Sequence, residues 1–221
     1  MKKTLCALGL LLASSCLATA QTEKGTKAIG GGFNISTNNF KDNNNSNRKS
    51  KGFDLSILPT AEYFIANNLS IKAQLGVGYS KYTNEYMSYS AYSTKNKSNN
   101  LSAGAYVRKY IPVIDKKLFV FVDAGLNYGY TKKNTQYNDS YFGSYETDVK
   151  INQYSVGAYS GIAYFISPKF GIESSLLKLE YSHSNDKTTN TNTPTPENTT
   201  TSTLGLGLVS GLNLTLKYYF K

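Results

Sequence analysis

The chain has 221 residues, a formal charge of +10 and 40% hydrophobic residues, with 19 tyrosines, 10 phenylalanines and no tryptophan. Its two cysteines, Cys6 and Cys16, lie near the start, which excludes disulfide staples and thiolate metal sites from the rest. No later stretch has the roughly 18 consecutive apolar residues of a membrane-spanning helix.

Residues 1–20 read as an export leader for the Sec pathway. Lys2 and Lys3 supply the positive start, Leu5 to Leu12 the apolar run, and Ala18-Thr19-Ala20 the cleavage site. The cut falls between Ala20 and Gln21, leaving 21–221 as one domain. The apolar run is too short to anchor a chain, since a spanning helix needs about 20 residues. Lipid attachment at Cys16 is disfavoured because Ala13-Ser14-Ser15 lacks the usual leucine. Loss of Lys2 and Lys3 lowers the charge from +10 to +8. An exported basic chain meets anionic lipid or lipopolysaccharide rather than nucleic acid.

Eight segments then alternate apolar with small or polar residues, the period of strands whose two faces meet different surroundings. They cover 24–36, 51–64, 69–82, 100–112, 117–131, 150–166, 169–183 and 204–220. In the third, Ile71, Ala73, Leu75, Val77 and Tyr79 oppose Lys72, Gln74, Gly76, Gly78 and Ser80. The seventh slips phase near Leu176-Leu177, as a β-bulge would make it. The eighth runs almost unbroken for seventeen residues, against five or six in an ordinary strand.

The connections alternate in length. Short ones lie at 66–68, 114–116 and 167–169; long ones, rich in Asn, Thr, Ser, Lys and Tyr, span 37–50, 83–99, 132–149 and 184–201. Short turns at one end and long loops at the other are the plan of an outer-membrane barrel with short periplasmic turns. The expected fold is therefore all-β: an eight-stranded antiparallel transmembrane β-barrel with four long surface loops. A soluble barrel would keep its apolar face inward. Here the less apolar face is rich in glycine, serine and tyrosine, which fits a narrow lumen. The last long loop, from Asn185, is of low complexity and reads as solvated and mobile.

The segments PTAEYFI (Pro59–Ile65), YVRKYI (Tyr106–Ile111) and LKYYF (Leu216–Phe220) resemble the small outer-membrane β-barrel proteins of Bacteroidota, a porin-like family. In architecture the chain is similar to OmpX and the OmpA transmembrane domain. The resemblance implies outer-membrane localisation and a C-terminal aromatic signal, here Tyr218 and Phe220, read by the barrel-assembly machinery. Lys221 after Phe220 departs from the family's aromatic ending.

Charged residues recur on the expected inward faces: Asp54, Glu62, Lys72, Arg108, Asp123, Glu173 and Lys217. The turns place Glu62 opposite Lys72, Arg108 against Asp123, and Glu173 near Lys217. Charges in so narrow a lumen need partners, and eight strands leave room for little but side chains, so they read as a neutralised plug rather than an ion path. His183, the one histidine, stands between Ser182 and Ser184, whose side chains point to the other face of a strand. A nucleophile needs its base within reach, so no enzyme is expected. A single histidine with no cysteine is a poor metal site. Gly30-Gly31-Gly32 precedes no helix, so it is not a phosphate loop. No cofactor is expected.

The expected role is structural or surface-interactive: envelope integrity, adhesion, or contact with host or lipopolysaccharide, with any surface ligand taken by the loops. A narrow passive pore for small solutes is the alternative, and a lipid A-modifying enzyme comes behind it. Processing is checked by intact mass. The purified protein should weigh as residues 21–221, less ammonia if Gln21 cyclises, whereas an acylated Cys16 would overturn the boundary.

Overall fold

The computed structural model describes residues 22–42, 48–87, 91–114, 117–139, 143–191, 193–208 and 214–221. The leader, including the Ala20–Gln21 cut, lies outside the described residues, as do the tips of several connections. Among the described residues nine strands follow one another: β1 (Lys27–Lys41), β2 (Arg48–Ala66), β3 (Leu69–Met87), β4 (Ala91–Ile114), β5 (Leu118–Asp139), β6 (Gly143–Ser167), β7 (Phe170–Asn190), β8 (Thr193–Leu208) and β9 (Leu214–Phe220).

Every neighbouring pair from β1 to β8 in sequence is antiparallel. The sheet returns on itself because β9 pairs both with β7 and with β1. β8 and β9 therefore share one place beside β7, and nine strands fill eight positions round a ring. The expected continuous eighth strand, 204–220, is thus recorded as two pieces. Residues 209–213, between them, lie outside the described residues. From Leu177↔Leu208 to Ser174↔Leu214 the strand beside β7 takes six steps while β7 takes three, so the register shifts there. Among the described residues β1 pairs with β9 from Lys27 to Gly31, and beyond Gly31 with β2 alone.

Parity sorts the side chains as the alternation predicts. Leu75, Leu101, Leu126 and Val156 are each at least half exposed and form an outward apolar belt. Phe53 and Tyr79, with ring centroids 6.5 Å apart, and Tyr128 and Tyr154, 5.2 Å apart, edge that belt on one side. Phe170, Tyr218 and Phe220 edge it on the other. An apolar belt between two aromatic girdles is what a membrane barrel shows to lipid. The bulge falls where expected: Gly161 pairs with Ser175 and Ser160 with Leu177, leaving Leu176 over. Gly161 is needed there, since a Cβ would stand 2.6 Å from Cζ of the inward Phe121.

The four long connections differ from expectation. They are not open loops: the ladders run on into them, and β6 reaches 25 residues, roughly 80 Å of strand at 3.3 Å per residue, where about 9–11 residues cross a membrane. The tract expected to be mobile is paired too, Asn185 facing Thr200 and Lys187 facing Asn198. Cross-strand side chains explain the extension. Tyr86 and Tyr92 face each other and stack at 4.6 Å and 7°, and Tyr137 and Tyr145 do so at 4.5 Å and 12°. Thr135 Oγ1 donates to Asn96 Oδ1 at 2.7 Å across the β4–β5 pair.

Such aromatic pairs contribute about 0.2–1 kcal/mol each. Replacing Tyr86 and Tyr92 together by alanine should fray the β3–β4 hairpin and speed trypsin cleavage at Lys95 and Lys97. The heat-modifiable gel shift of the folded barrel should remain, and unchanged cleavage would show that the stack does not hold the hairpin.

Candidate functional site: the barrel lumen

The lumen is layered, and the sequence sets the layers. On four strands an inward charged residue is followed, two positions nearer the short turns, by an inward aromatic ring: Glu62 by Phe64, Arg108 by Tyr110, Asp123 by Phe121, Lys217 by Tyr219. Because two residues is the strand repeat, the charges form one tier and the rings another below it.

The rings make a floor at the short-turn end. Phe64 stacks on Tyr110 at 5.5 Å, Tyr110 meets Phe119 edge-on at 6.0 Å, Phe119 meets Phe165 at 5.3 Å, and Phe165 meets Tyr219 at 5.0 Å. With Ala28, Phe121 and Ala163 they are the buried apolar cluster of the described residues. The segment before β1 runs alongside the end of β2 and the turn that follows it. Phe64 and residues 25–26 exchange backbone hydrogen bonds of 2.8 and 2.9 Å, and Asn68, in a left-handed conformation (φ 60°), donates its N–H to Thr22 O at 2.7 Å.

Above the floor, three cations and three carboxylates share one buried network. Asp123 accepts from Lys72 Nζ at 2.5 Å and from Arg108 Nε and Nη2 at 2.5 and 2.8 Å. The same guanidinium reaches Glu173 at 2.5 Å. Lys217 lies 2.9 Å from Glu173 and also pairs with Glu62, which accepts from Ser70 as well. Tyr110 Oη lies 2.9 Å from Glu173 and 3.2 Å from Glu62, tying floor to network. Arg108 further sits over the Phe121 ring, 3.9 Å from its centroid, and Lys72 over Tyr106 at 4.4 Å, both within cation–π range.

The backbone register is as expected, Glu62 opposite Lys72 and Arg108 opposite Asp123, but one pairing is corrected. Lys72 does not pair with Glu62. It reaches past β4 to Asp123 on β5, and Glu62 is taken by Lys217, which reaches past β1 from β9. In a lumen this narrow, the curvature of the wall brings inward side chains of next-but-one strands together, so nearest-strand pairing fails. Asp54 is also corrected: it stands apart from the network and accepts from Tyr82 Oη.

The void within the charged tier is about 50 Å³, touching Lys72, Arg108, Glu173 and Lys217; a water takes roughly 30 Å³. On the side of the long hairpins lies a larger cavity of about 500 Å³, reached by Lys72, Asp123, Tyr106, Asn127, Tyr159 and Lys178. His183 lies outside it. Its Nδ1 is 3.0 Å from Ser202 Oγ on β8, not near Ser182 or Ser184, and no carboxylate holds the imidazole among the described residues. Among those residues, no three His, Cys, Asp or Glu side chains gather as metal ligands. Tyr218 and Phe220 stack 5.9 Å apart at the short-turn rim.

A layered barrel of this kind belongs to the integral proteins of the outer membrane. Residues 5–209 match the outer membrane protein beta-barrel domain family, and the chain belongs to that family. Among solved structures, it is similar to the outer membrane protein OprG of Pseudomonas aeruginosa (TM-score 0.55, 9% identity, covering 91% of this chain and 99% of that one). A major outer membrane protein of Thermus thermophilus matches at TM-score 0.43 and 14% identity, over 88% and 99% of the two chains. Ail, the attachment invasion locus protein of Yersinia pestis, matches at TM-score 0.35 and 15% identity, over 89% and 99%. At these identities the first shows a shared fold and nothing further. No curated protein sequence matches the chain.

Partner exchange between next-but-one strands has a measurable consequence. Arg108→Met leaves Asp123 and Glu173 each short of a partner and should cost about 3–5 kcal/mol in urea unfolding. Adding Glu173→Gln leaves two complete pairs, Lys72–Asp123 and Lys217–Glu62, and should recover much of that loss. Adding Asp123→Asn instead strands Lys72 and should recover less; the reverse order would contradict the network.

Proposed function

We propose that this outer-membrane protein is a closed barrel with a structural or surface-interactive role: envelope integrity, adhesion, or contact with host surfaces or lipopolysaccharide. The reading rests on one observation, a neutral tier of six interlocked charges standing directly on a floor of packed aromatic rings. The void within the tier, about 50 Å³, leaves a solute no room to pass without parting the charges. The long hairpins face outward from the cell and carry any surface ligand, the short turns face the periplasm, and the protein performs no catalysis. Export uses residues 1–20, and the Tyr218/Phe220 end is what the assembly machinery reads.

A passive pore for small solutes is the competing reading. The cavity of about 500 Å³ on the hairpin side favours it, but a solute leaving that cavity would have to part the charged tier and then the rings. Planar-bilayer recording separates the two. The folded protein should show no steady open level, while large and sustained conductance would establish the pore.

A further inference from the structure

On six consecutive strands the outward face turns basic just beyond the apolar belt. The first outward position past the aromatic edge is Lys51 after Phe53 on β2, Lys81 after Tyr79 on β3, and Lys132 after Tyr130 on β5. On β4 and β6 a single asparagine intervenes before Lys97 and Lys150, and on β7 His183 and Asn185 intervene between Tyr181 and Lys187. The register sets like charges directly opposite: Lys81 faces Lys97, and Lys132 faces Lys150, which faces Lys187.

Directly opposed like charges destabilise a sheet, and among the described residues none of these six lysines is in an ion pair. Among the acids on the same face, Glu85 on β3 and Glu146 on β6 stand farther out, and Asp148 on β6 is level with Lys97 across Asn134. The Asp148 and Glu146 carboxylates accept from Asn134 rather than pairing with a lysine. The other edge of the belt carries fewer outward strand lysines, Lys27 and Lys109. Opposed ammonium groups suit a phosphate monoester, which carries about −1.5 to −2 charge and three acceptor oxygens. The belt beneath them, with Val77, Leu101 and Leu126 exposed, suits acyl chains. One molecule offers both.

We propose that the pairs Lys81/Lys97 and Lys132/Lys150 bind the phosphate groups of an outer-leaflet glycolipid whose acyl chains lie on the apolar belt below. The inference rests on the membrane orientation proposed above and names the partner of that surface. It is independent of whether the lumen conducts, so bilayer recording and the test below fail separately.

The mature protein, folded in a neutral maltoside micelle, is titrated with bisphosphoryl lipid A and with the same lipid stripped of phosphate; native mass spectrometry counts the adducts. At about 1 kcal/mol for each lysine near an anionic surface, the phosphorylated lipid should bind at least about tenfold tighter. Replacing all four lysines by glutamine should bring the two lipids to within about twofold while the heat-modifiable gel shift persists. If that variant fails to fold, K81Q/K97Q and K132Q/K150Q should each remove part of the preference. Lumen-facing K133Q/K178Q should keep it. Equal binding of the two lipids by the parent, a preference surviving in the glutamine variants, or displacement of lipid A by millimolar inorganic phosphate would each overturn the proposal.

Discussion

Inside a bilayer no water reaches the backbone, so each N–H and C=O must find a partner within the protein, and a sheet can meet that demand only by returning to its first strand. Here the return is made by β9, which joins Lys27–Gly31 of β1 on one side and Phe170–Ser174 of β7 on the other. Once the ring exists, every side chain is committed to lipid or lumen by parity alone. Leu204, Leu206 and Leu208 on β8 and Leu214 and Leu216 on β9 all point outward, so the outward face keeps its parity on both sides of the register shift.

A ring of eight positions is narrow, and that narrowness drives the lumen chemistry. Charges placed inside cannot be hydrated individually, yet six are present, three of each sign. They are tolerated because each carboxylate accepts from more than one donor and each cation also touches a ring, a second carboxylate or both. The floor contributes from below. Tyr110 and Tyr219 bring their hydroxyls to Glu173, while their rings pack with Phe64, Phe119 and Phe165. Glycine at 161 and at 125, where a Cβ would meet Tyr106 at 2.6 Å, makes space for the rings that the tier and floor require.

Beyond the membrane the constraint changes. Water can satisfy the backbone there, so continuation of the ladders depends on side chains. The stacked tyrosine pairs and the Asn–Thr hydrogen bonds supply that. The outer protein surface is thus presented on paired hairpins rather than on open loops, and a ligand there would meet a shaped surface bearing rows of lysine.

Period-two alternation, turn spacing and the aromatic edges belong to each strand separately, so the sequence alone determined the barrel, its strand number, the bulge at Leu176 and the inward set containing Glu62, Lys72, Arg108, Asp123, Glu173 and Lys217. The aromatic floor was legible too, as a ring two positions from a charge on four strands, although no reading of charges alone would find it. What the alternation could not reach was any contact between strands that are not neighbours. That Lys72 meets Asp123 past β4 depends on the curvature of the wall, and that Lys217 takes Glu62 past β1 depends on the last strand having met the first. Asp54 stays apart with Tyr82 of the adjacent strand. The hairpin extensions were missed for a related reason: Asn, Thr and Ser alternate without apolar contrast, and what holds them as strands is the partner opposite, which one strand's sequence does not contain.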